Sequence, residues 1–195
     1  MRILLQTLVC YLLLTLITGI IYPLAVTAVS LVFFPHQSKG SLMMKNGIPV
    51  GSALLAQPFK DSRYFWGRPS ASDYSTVPSG SSNLGPISKK LKETVGEREQ
   101  FWRSSHGLTQ NSPVPVELLT ASASGLDPHI SIAAAYYQVR RISKSRGVKE
   151  AAVKDIIRNN TNGRFLGLFG ELVVNVMKVN LALDALPAGR QEHQK

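Results

Sequence analysis

Hydrophobic positions are concentrated at the start of the chain. From Ile3 to Phe34, 32 consecutive residues carry no formal charge, and Arg2 directly precedes them. An α-helix rises ~1.5 Å per residue, so about 20 apolar residues cross a hydrocarbon core of ~30 Å. The run is longer than one crossing requires. It predicts a transmembrane anchor over residues 1–34, with Pro23 as its kink point.

A cleaved secretory signal is the alternative interpretation of this segment. Arg2 would supply its charged start, and Val26-Thr27-Ala28 would offer small residues to a peptidase. The apolar region of a signal spans only ~7 to 15 residues, whereas this one continues through Phe34. We therefore expect a retained anchor.

Basic residues lie on both sides of the anchor, with Arg2 before it and Lys39 and Lys45 after it. These charges do not decide the orientation of the anchor. They also do not prevent the domain that follows from crossing the membrane, because large domains translocate largely regardless of charge. We expect a single-pass protein of a bacterial inner membrane, with a cytoplasmic N-terminus. The domain over residues 35–195 is then extracytoplasmic.

Beyond the anchor the hydrophobic pattern mixes helical and strand periods, which predicts an α+β domain. Asn46-Gly47 separates Ser41–Lys45 from Ile48–Leu54 and suits the type I′ turn of a β-hairpin. From Gly67 to Ser88, 13 of 22 residues are Gly, Pro or Ser. That composition precludes a long regular element and predicts an extended loop, which in a compact domain is usually functional or disordered.

Further elements are predicted along the rest of the chain. A helix over Ile87–Arg103 carries Leu91, Val95 and Trp102 on one stripe, with Trp102 as a core anchor. Four shorter elements follow: a strand at Val116–Thr120, a helix at Lys149–Arg158, a strand at Val174–Met177 and a helix at Val179–Leu186.

The most clearly delimited helix is predicted between Asp127-Pro128 and Gly147. Asp suits the N-cap, Pro suits the first helical position, and Gly suits the left-handed stop. One stripe of this helix is expected to be buried: Ile132, Ala135, Tyr136, Val139 and Ile142. The opposite stripe is expected to face solvent or a partner: Ala134, Gln138, Arg141 and Ser145.

Composition excludes several classes of protein. The 195 residues include 22 basic and 12 acidic side chains, a net charge of +10, and Cys10 is the only cysteine. Plentiful aliphatic residues exclude intrinsic disorder, and one cysteine excludes a disulfide scaffold or a tetrathiolate metal site. The basic excess is largest between Arg140 and Arg158. Without a nucleic-acid-binding signature, it favours a solvated helix face, anionic headgroups or an acidic partner over nucleic acid.

Motifs for self-contained chemistry are missing. Gly80 and Gly85 have the spacing of a phosphate loop, but Pro86-Ile87 stands where Lys and Ser or Thr should follow. The four histidines are scattered and form no metal-binding spacing, and no G-x-S-x-G elbow presents a nucleophile. We expect no catalytic residues and no metal bound by this chain.

Three polar, turn-rich segments remain: YFWGRPSA at 64–71, SGSSNLG at 79–85 and TASASGLDPHIS at 120–131. Local roles explain each of them singly, since serines bond nearby backbone and Arg68 suits a carbonyl or a carboxylate. In this order, and with Thr18-Gly19, Tyr22-Pro23-Leu24, Val174-Asn175-Val176 and Leu181-Ala182-Leu183-Asp184, they resemble the C subunit of the Kdp-type potassium-transporting ATPase. The resemblance covers nearly the whole chain.

The resemblance implies a non-catalytic subunit of a bacterial pump that takes up K⁺ at the expense of ATP. Its implied partners are a channel-like potassium-translocating subunit, a P-type ATP-hydrolysing subunit and a small stabilising subunit, within the lipid bilayer. The matching motif positions are candidates for partner contact: Thr18, Gly19, Tyr22, Pro23, Arg68, Ser82, Asn83, Ser122, Ser124 and Asp127.

The family resemblance also implies a catalytic chaperone that raises the affinity of the pump subunit for ATP, with Gln138 as the nucleotide-related residue. An exposed Gln138 on a well-framed helix would suit contact with a partner. An extracytoplasmic domain cannot meet cytoplasmic ATP, however, so direct nucleotide contact conflicts with the expected topology. ATP is therefore expected to act through the pump subunit.

Two other functions stay open at this point. One is a membrane-anchored periplasmic enzyme that uses the polar loop at Ser79–Gly85. The other is a direct nucleotide-binding module, for which Gln138 would be the contact.

Overall fold

The structure is a computed structural model, which describes residues 1–164 and 166–186. Two compact units divide the chain, with the boundary between Leu42 and Met43. The first unit contains one long apolar helix, and the second contains helices and short strands. The predicted architecture of one membrane-spanning helix candidate followed by a mixed α+β domain is confirmed.

The N-terminal unit consists mainly of a continuous apolar helix over Arg2–Phe33. Its parts are α1 (Arg2–Leu16), a π-helical turn (Ile17–Ile21) and α2 (Tyr22–Phe33), and a short α3 (Pro35–Ser38) follows. No residue of α1 or α2 is buried. A helix that is apolar on all sides needs an apolar surrounding, and this one has the length and composition to cross a membrane.

The π-helical turn lies directly before Pro23. Proline has no N–H to donate, and in an α-helix its ring clashes with the carbonyl four residues earlier, here that of Gly19. The wider turn changes the bonding at this point, and the backbone N–H of Tyr22 bonds the carbonyl of Ile17. The Thr18 hydroxyl donates to the Leu14 carbonyl at 2.8 Å. At the predicted kink point the structure therefore has a local change of helix type.

The predicted hairpin begins at the boundary between the two units. Strand β1 (Leu42–Lys45) pairs with β2 (Ile48–Ser52). Asn46 and Gly47 have φ angles of 52° and 78°, as a type I′ turn requires. Residues 53–88 contain neither helix nor strand, which confirms the predicted loop and extends it towards the N-terminus.

The rest of the domain is a three-stranded antiparallel sheet with four helices. The strand order is β3 (His129–Ser131), β5 (Val173–Asn175) and β4 (Thr161–Asn162), with Ile130 and Thr161 both opposite Val174. The helices are α4 (Lys89–His106), α5 (Ile132–Arg146), α6 (Glu150–Asn159) and α7 (Val176–Asp184). Helix α5 contacts α4, α6 and the sheet, and therefore lies at the centre of the domain.

The core is formed by apolar side chains from the four helices, from β3 and β5, and from the loops. Its largest fully buried members include Phe65, Leu118, Ile130, Ile142, Ile157 and Leu183. Trp102 is 4% exposed, which confirms its prediction as a core anchor. Phe65 comes from the long loop, so this loop is packed into the domain. Burying a side chain of this size stabilises the fold by roughly 1.5–3 kcal/mol.

Two predicted elements are wrong. Val116–Leu118 is a 3₁₀ turn and not a strand, because Pro115 starts a tight turn in which the N–H of Leu118 bonds the Pro115 carbonyl at 3.0 Å. Asp127-Pro128 does not begin α5, because the next three residues pair with β5 as a strand. Ser131 caps α5 instead, accepting from the Ala134 N–H at 3.1 Å.

The other boundaries follow the predictions closely. Gly147 ends α5 with φ of 65°, as predicted. Helix α6 lies where it was predicted, and α4 is shifted two to three residues towards the C-terminus. The last strand ends at Asn175, so α7 begins three residues earlier than predicted. The Asn175 side chain explains this start, since its oxygen accepts from the Lys178 N–H at 3.1 Å.

Candidate functional site

Two of the polar segments meet through one ion pair. The Arg68 guanidinium, in the long loop, donates to the Asp127 carboxylate at 3.1 Å, and both side chains are half-buried. The pKa of Asp127 lies below its ordinary value, mainly because the His129 side chain bonds the same carboxylate. Desolvation acts in the opposite direction, and the His129 N–H and Arg68 lower the pKa further. Asp127 is therefore an anchoring carboxylate between loop and strand, and not a helix cap.

The backbone joins the same segments in further places. The Ser122 N–H donates to the Pro69 carbonyl at 3.3 Å, and the Gly80 N–H donates to the Ser124 carbonyl at 3.1 Å. The Ser124 hydroxyl accepts from the Leu126 N–H at 3.1 Å. Ser122 is 3% exposed. These bonds hold the first and the second polar segments beside the third.

Gly125 is required where the loops touch. It has φ of 70°, and a Cβ there would lie 2.7 Å from the Ser72 hydroxyl and 3.0 Å from the Gly80 carbonyl oxygen. A side chain would meet both a strained backbone conformation and a clash with backbone. Glycine at this position therefore permits the close approach of the two loops.

Ser82 and Asn83 lie in the same loop but on its exposed part. Asn83 has φ of 52°, and its side-chain oxygen accepts from the Ser81 hydroxyl at 2.6 Å. No hydrogen bond or ion pair links either residue to Arg68 or Asp127 in the described part of the chain. The structure thus places Ser82 and Asn83 near the joined segments without a direct connection.

An open groove of about 540 Å³ lies beside the ion pair. Its polar lining comes from Arg68, Asp127, Ser122 and Ser124, and its apolar lining includes Leu54, which is 60% exposed. The Arg68 Nε is buried and has no hydrogen-bond partner among the described residues. We call this surface, lined by residues 54–55, 68, 122–124 and 126–128, the motif groove. It combines exposed aliphatic surface with the ion pair of Arg68 and Asp127.

The other four contact candidates lie in the N-terminal unit. Thr18 and Gly19 belong to the π-helical turn, and Tyr22 and Pro23 begin α2. All four are exposed. They form a second, separate cluster around the change of helix type.

The prediction that Gln138 is exposed is wrong. Gln138 is 0% exposed, and Ala134 and Arg141 on the same stripe are also buried. The Gln138 Oε1 accepts from the Trp66 N–H at 2.8 Å, and its Nε2 donates to the Trp66 carbonyl at 3.0 Å. The long loop covers this side of α5. Ser145 stays exposed, whereas Tyr136, predicted to be buried, is 36% exposed.

Asn180 repeats this arrangement one residue earlier in the loop. Its Oδ1 accepts from the Phe65 N–H at 2.8 Å, and its Nδ2 donates to the Phe65 carbonyl at 2.9 Å. Two side-chain amides thus bond the backbone N–H and carbonyl groups of an irregular loop segment, as a neighbouring β-strand would. Asn180 was not predicted, and its signal in the sequence is that of a polar residue on the apolar side of the last helix.

Catalytic groupings are limited in the described part of the chain. Neither Ser122 nor Ser124 hydrogen-bonds a histidine, and the His129 ring contacts Asp127 at 3.5 Å and Asn175 at 3.5 Å. No group of three or more His, Cys, Asp or Glu side chains is arranged to hold a metal ion among the described residues.

Comparison with known proteins agrees with the motif order. The family model described as "KdpC: K+-transporting ATPase, c chain" matches residues 4–185. A Potassium-transporting ATPase KdpC subunit from Sorangium cellulosum is 52% identical over 180 residues, covering 91% of this chain and 94% of the relative. Proteins of the same name from Burkholderia ambifaria (49% identical, 92% and 94% covered) and Polaromonas naphthalenivorans (48% identical, 95% of each) are also similar.

Proposed function

The chain belongs to the KdpC family of K⁺-transporting ATPase subunits, and from this premise we propose that it is a non-catalytic subunit that assembles and stabilises the complex. Its partners are a channel-like potassium-translocating subunit, a P-type ATP-hydrolysing subunit and a small stabilising subunit. K⁺ is the ion that the complex transports. This chain contributes contact surfaces and no reacting group.

The convergence of the family motifs on the motif groove carries this proposal. Segments that are about 50 residues apart in sequence are joined by the Arg68–Asp127 ion pair at 3.1 Å and by backbone bonds from Ser122 and Gly80. The result is a rigid, partly apolar surface that is open to solvent. A large preorganised surface costs little ordering on binding, which suits a permanent contact with another subunit.

The N-terminal helix acts as a retained anchor in this proposal. Its apolar surface on all sides supports insertion in the bilayer of a bacterial inner membrane, and the small residues around the π-helical turn support close packing against a partner helix. The N-terminus is cytoplasmic and the domain after the anchor is extracytoplasmic.

The chaperone role needs a different basis from nucleotide contact by Gln138. The amide oxygen of Gln138 already accepts two hydrogen bonds, from Trp66 and Arg141, and its amide nitrogen donates to two carbonyl oxygens. Any effect on the ATP affinity of the pump subunit is therefore proposed to pass through subunit contacts. In this account Gln138 maintains the shape of the domain.

A pair of matched substitutions tests the groove as a partner surface. Leu54→Asp places a charge in the motif groove, and Ile87→Asp places one on a side chain that is 98% exposed outside it. We expect Leu54→Asp to reduce the amount of channel-like and P-type subunits that co-purify with the tagged chain, and Ile87→Asp to leave it unchanged. Equal recovery with both variants would count against the groove.

A second variant tests the anchor separately. Pro23→Leu restores an N–H donor beside the π-helical turn, so that a regular α-helix becomes possible there. We expect weaker co-purification of the partner subunits from membranes that contain normal amounts of the chain. Unchanged co-purification would place the contact elsewhere on the chain.

A further inference from the structure

Positive charge without a counter-ion is concentrated in one part of the domain. Seven basic and two acidic residues lie between Arg140 and Arg158. Three of the basic residues form ion pairs: Arg146 with Asp184, Lys154 with Glu150 and Arg158 with Asp155. Arg140 and Lys144 form none within the described part of the chain. They are one turn apart on α5, so they extend from the same side of the helix.

These two side chains line a cleft of about 540 Å³ where α4 and α5 end. Arg141 also lines it, as do the hydroxyl-bearing residues Ser104, Ser105 and Ser145. None of the described lining residues is an Asp or a Glu. We call this feature the basic cleft. Its volume lies within the range of ~300–1,000 Å³ that is usual for small-ligand sites.

Arg141 supplies a fixed charge beneath the basic cleft. It is 6% exposed, and its guanidinium lies 3.8 Å above the Trp66 ring. It donates to the Tyr64 carbonyl at 2.9 Å and to Gln138 at 2.7 Å, and it also bonds the Ser62 carbonyl and His106. All of these partners are neutral acceptors. Desolvation lowers the pKa of Arg141 to about 10, so it stays charged at neutral pH.

The helix ends offset only part of this charge. The carboxyl ends of α4 and α5 meet here, and each contributes roughly half a negative charge. Three formal positive charges therefore exceed about one negative charge. The carboxylate of Asp61 also acts on Arg141, but it forms an ion pair with Arg63 at 2.8 Å, so the cleft keeps a positive excess. A buried cation such as Arg141 is normally paired with an anion, and the exposed Arg140 and Lys144 lie open to one beside it.

We propose that the basic cleft binds a phosphoryl-type oxyanion. A phosphoryl group has three or more acceptor oxygens, and guanidinium, ammonium and hydroxyl groups together supply donors for all of them. A carboxylate has two oxygens and would leave several of these donors unused. The anion comes from a free phosphate compound or from an anionic lipid headgroup. This inference is independent of the assembly role proposed above.

The test uses the full chain in a neutral detergent, titrated with inorganic pyrophosphate in a calorimeter. The variant Arg140→Gln with Lys144→Gln removes two exposed cations from the cleft and leaves the buried Arg141 in place. Lys90→Gln with Lys92→Gln is the matched control, because both lysines are exposed on α4 and form no ion pair within the described residues. We expect the cleft variant to raise the dissociation constant roughly tenfold or more, and the control to change it less than about twofold.

Nanodiscs distinguish the two sources of the anion. If lipid headgroups occupy the cleft, pyrophosphate binds more weakly in discs of phosphatidylcholine with phosphatidylglycerol than in discs of phosphatidylcholine alone, and the cleft variant abolishes this difference. If a free anion is the ligand, both discs give the same affinity. The proposal is overturned if pyrophosphate fails to bind the full chain, or if the cleft and control variants weaken binding equally.

Discussion

Replacing Gln138 by alanine tests whether this residue is structural. In the folded domain its amide bonds both backbone groups of Trp66, at 2.8 and 3.0 Å, and accepts from Arg141 at 2.7 Å. Gln138→Ala takes the amide away from all three of these groups at once. The groups left behind belong to a loop residue that is 8% exposed and to a guanidinium that is 6% exposed, so water has little access to them.

The cost follows from the number of groups left unpaired. Leaving a buried donor or acceptor without a partner costs about 1–3 kcal/mol, and more when the group is charged. The Trp66 N–H and carbonyl lose their partners, while Arg141 loses one bond and keeps those to Tyr64, Ser62 and His106. Together with the lost side-chain volume, this gives an expected loss of about 3–5 kcal/mol. The free energy of unfolding of an ordinary domain is only about 5–15 kcal/mol. Gln138→Ala is therefore expected to weaken the whole domain.

The assay is urea unfolding of the full chain in detergent, followed by tryptophan fluorescence, since Trp66 lies against the mutated site. With a slope of about 2 kcal/mol per molar urea, the midpoint should fall by about 1.5 M or more. Gln100→Ala is the control, because Gln100 is exposed on α4. The reasoning is refuted if Gln138→Ala changes the unfolding free energy by no more than about 0.5 kcal/mol while the complex loses affinity for ATP.

Three further predictions concern stability. Gly125→Ala should destabilise the domain by about 1–3 kcal/mol because of its φ of 70° and the nearby Gly80 carbonyl, whereas Gly96→Ala, with open space around it in α4, should stabilise it by about 0.5–1 kcal/mol. Thermal melts that shift in the same direction for both would contradict this. Desolvation and the charge of Arg141 lower the pKa of His106 to about 4. The unfolded chain, with an ordinary histidine pKa of about 6.5, binds more protons between these values, so stability should fall as the pH drops from about 6.5 to about 4. His106→Gln should flatten this dependence and the exposed His36→Gln should preserve it, and equal pH profiles for the two variants would disprove the assignment. Asp127→Asn should lower the melting temperature, since it weakens the links to Arg68 and His129, and Asp73→Asn, at a residue that forms no ion pair in the described chain, serves as the comparison.

Local signals predicted the elements that depend on local chemistry. The charge-free run predicted the long helix, Asn46-Gly47 predicted the hairpin turn, and Gly147 predicted the end of α5. Each of these depends on residues that are neighbours in the sequence. Distant residues do not change these three elements, so the local sequence was sufficient to predict them.

The wrong predictions concern segments whose structure depends on residues that are distant in the sequence. Helical periodicity gave α5 a single buried face, but the loop over residues 62–66 covers a second face and buries Gln138 and Arg141. The pair Asp127-Pro128 has helix-start chemistry, yet β5 recruits the next three residues into the sheet. No pattern within either segment identifies its partner, because the partners lie 72 to 79 residues away for α5 and 42 to 46 residues away for β3.

The candidate site, too, was predicted from the sequence only in part. Its residues were found through the order of the family motifs, but the ion pair between Arg68 and Asp127 requires two loops to meet in space. The basic cleft was visible only as an excess of Lys and Arg. Its position depends on which of these cations are paired, and ion pairs such as that of Arg146 with Asp184 become known only in the fold.

The central claim, that the chain is an assembling subunit of a K⁺-transporting ATPase, is tested most directly by removing it. The remaining subunits would be purified in mild detergent from cells with and without this chain, identified by mass spectrometry and assayed for K⁺-stimulated ATP hydrolysis. We predict that without the chain the channel-like and P-type subunits no longer co-purify and that the K⁺-stimulated activity is lost. Recovery of a stable, fully active complex in its absence would contradict the account.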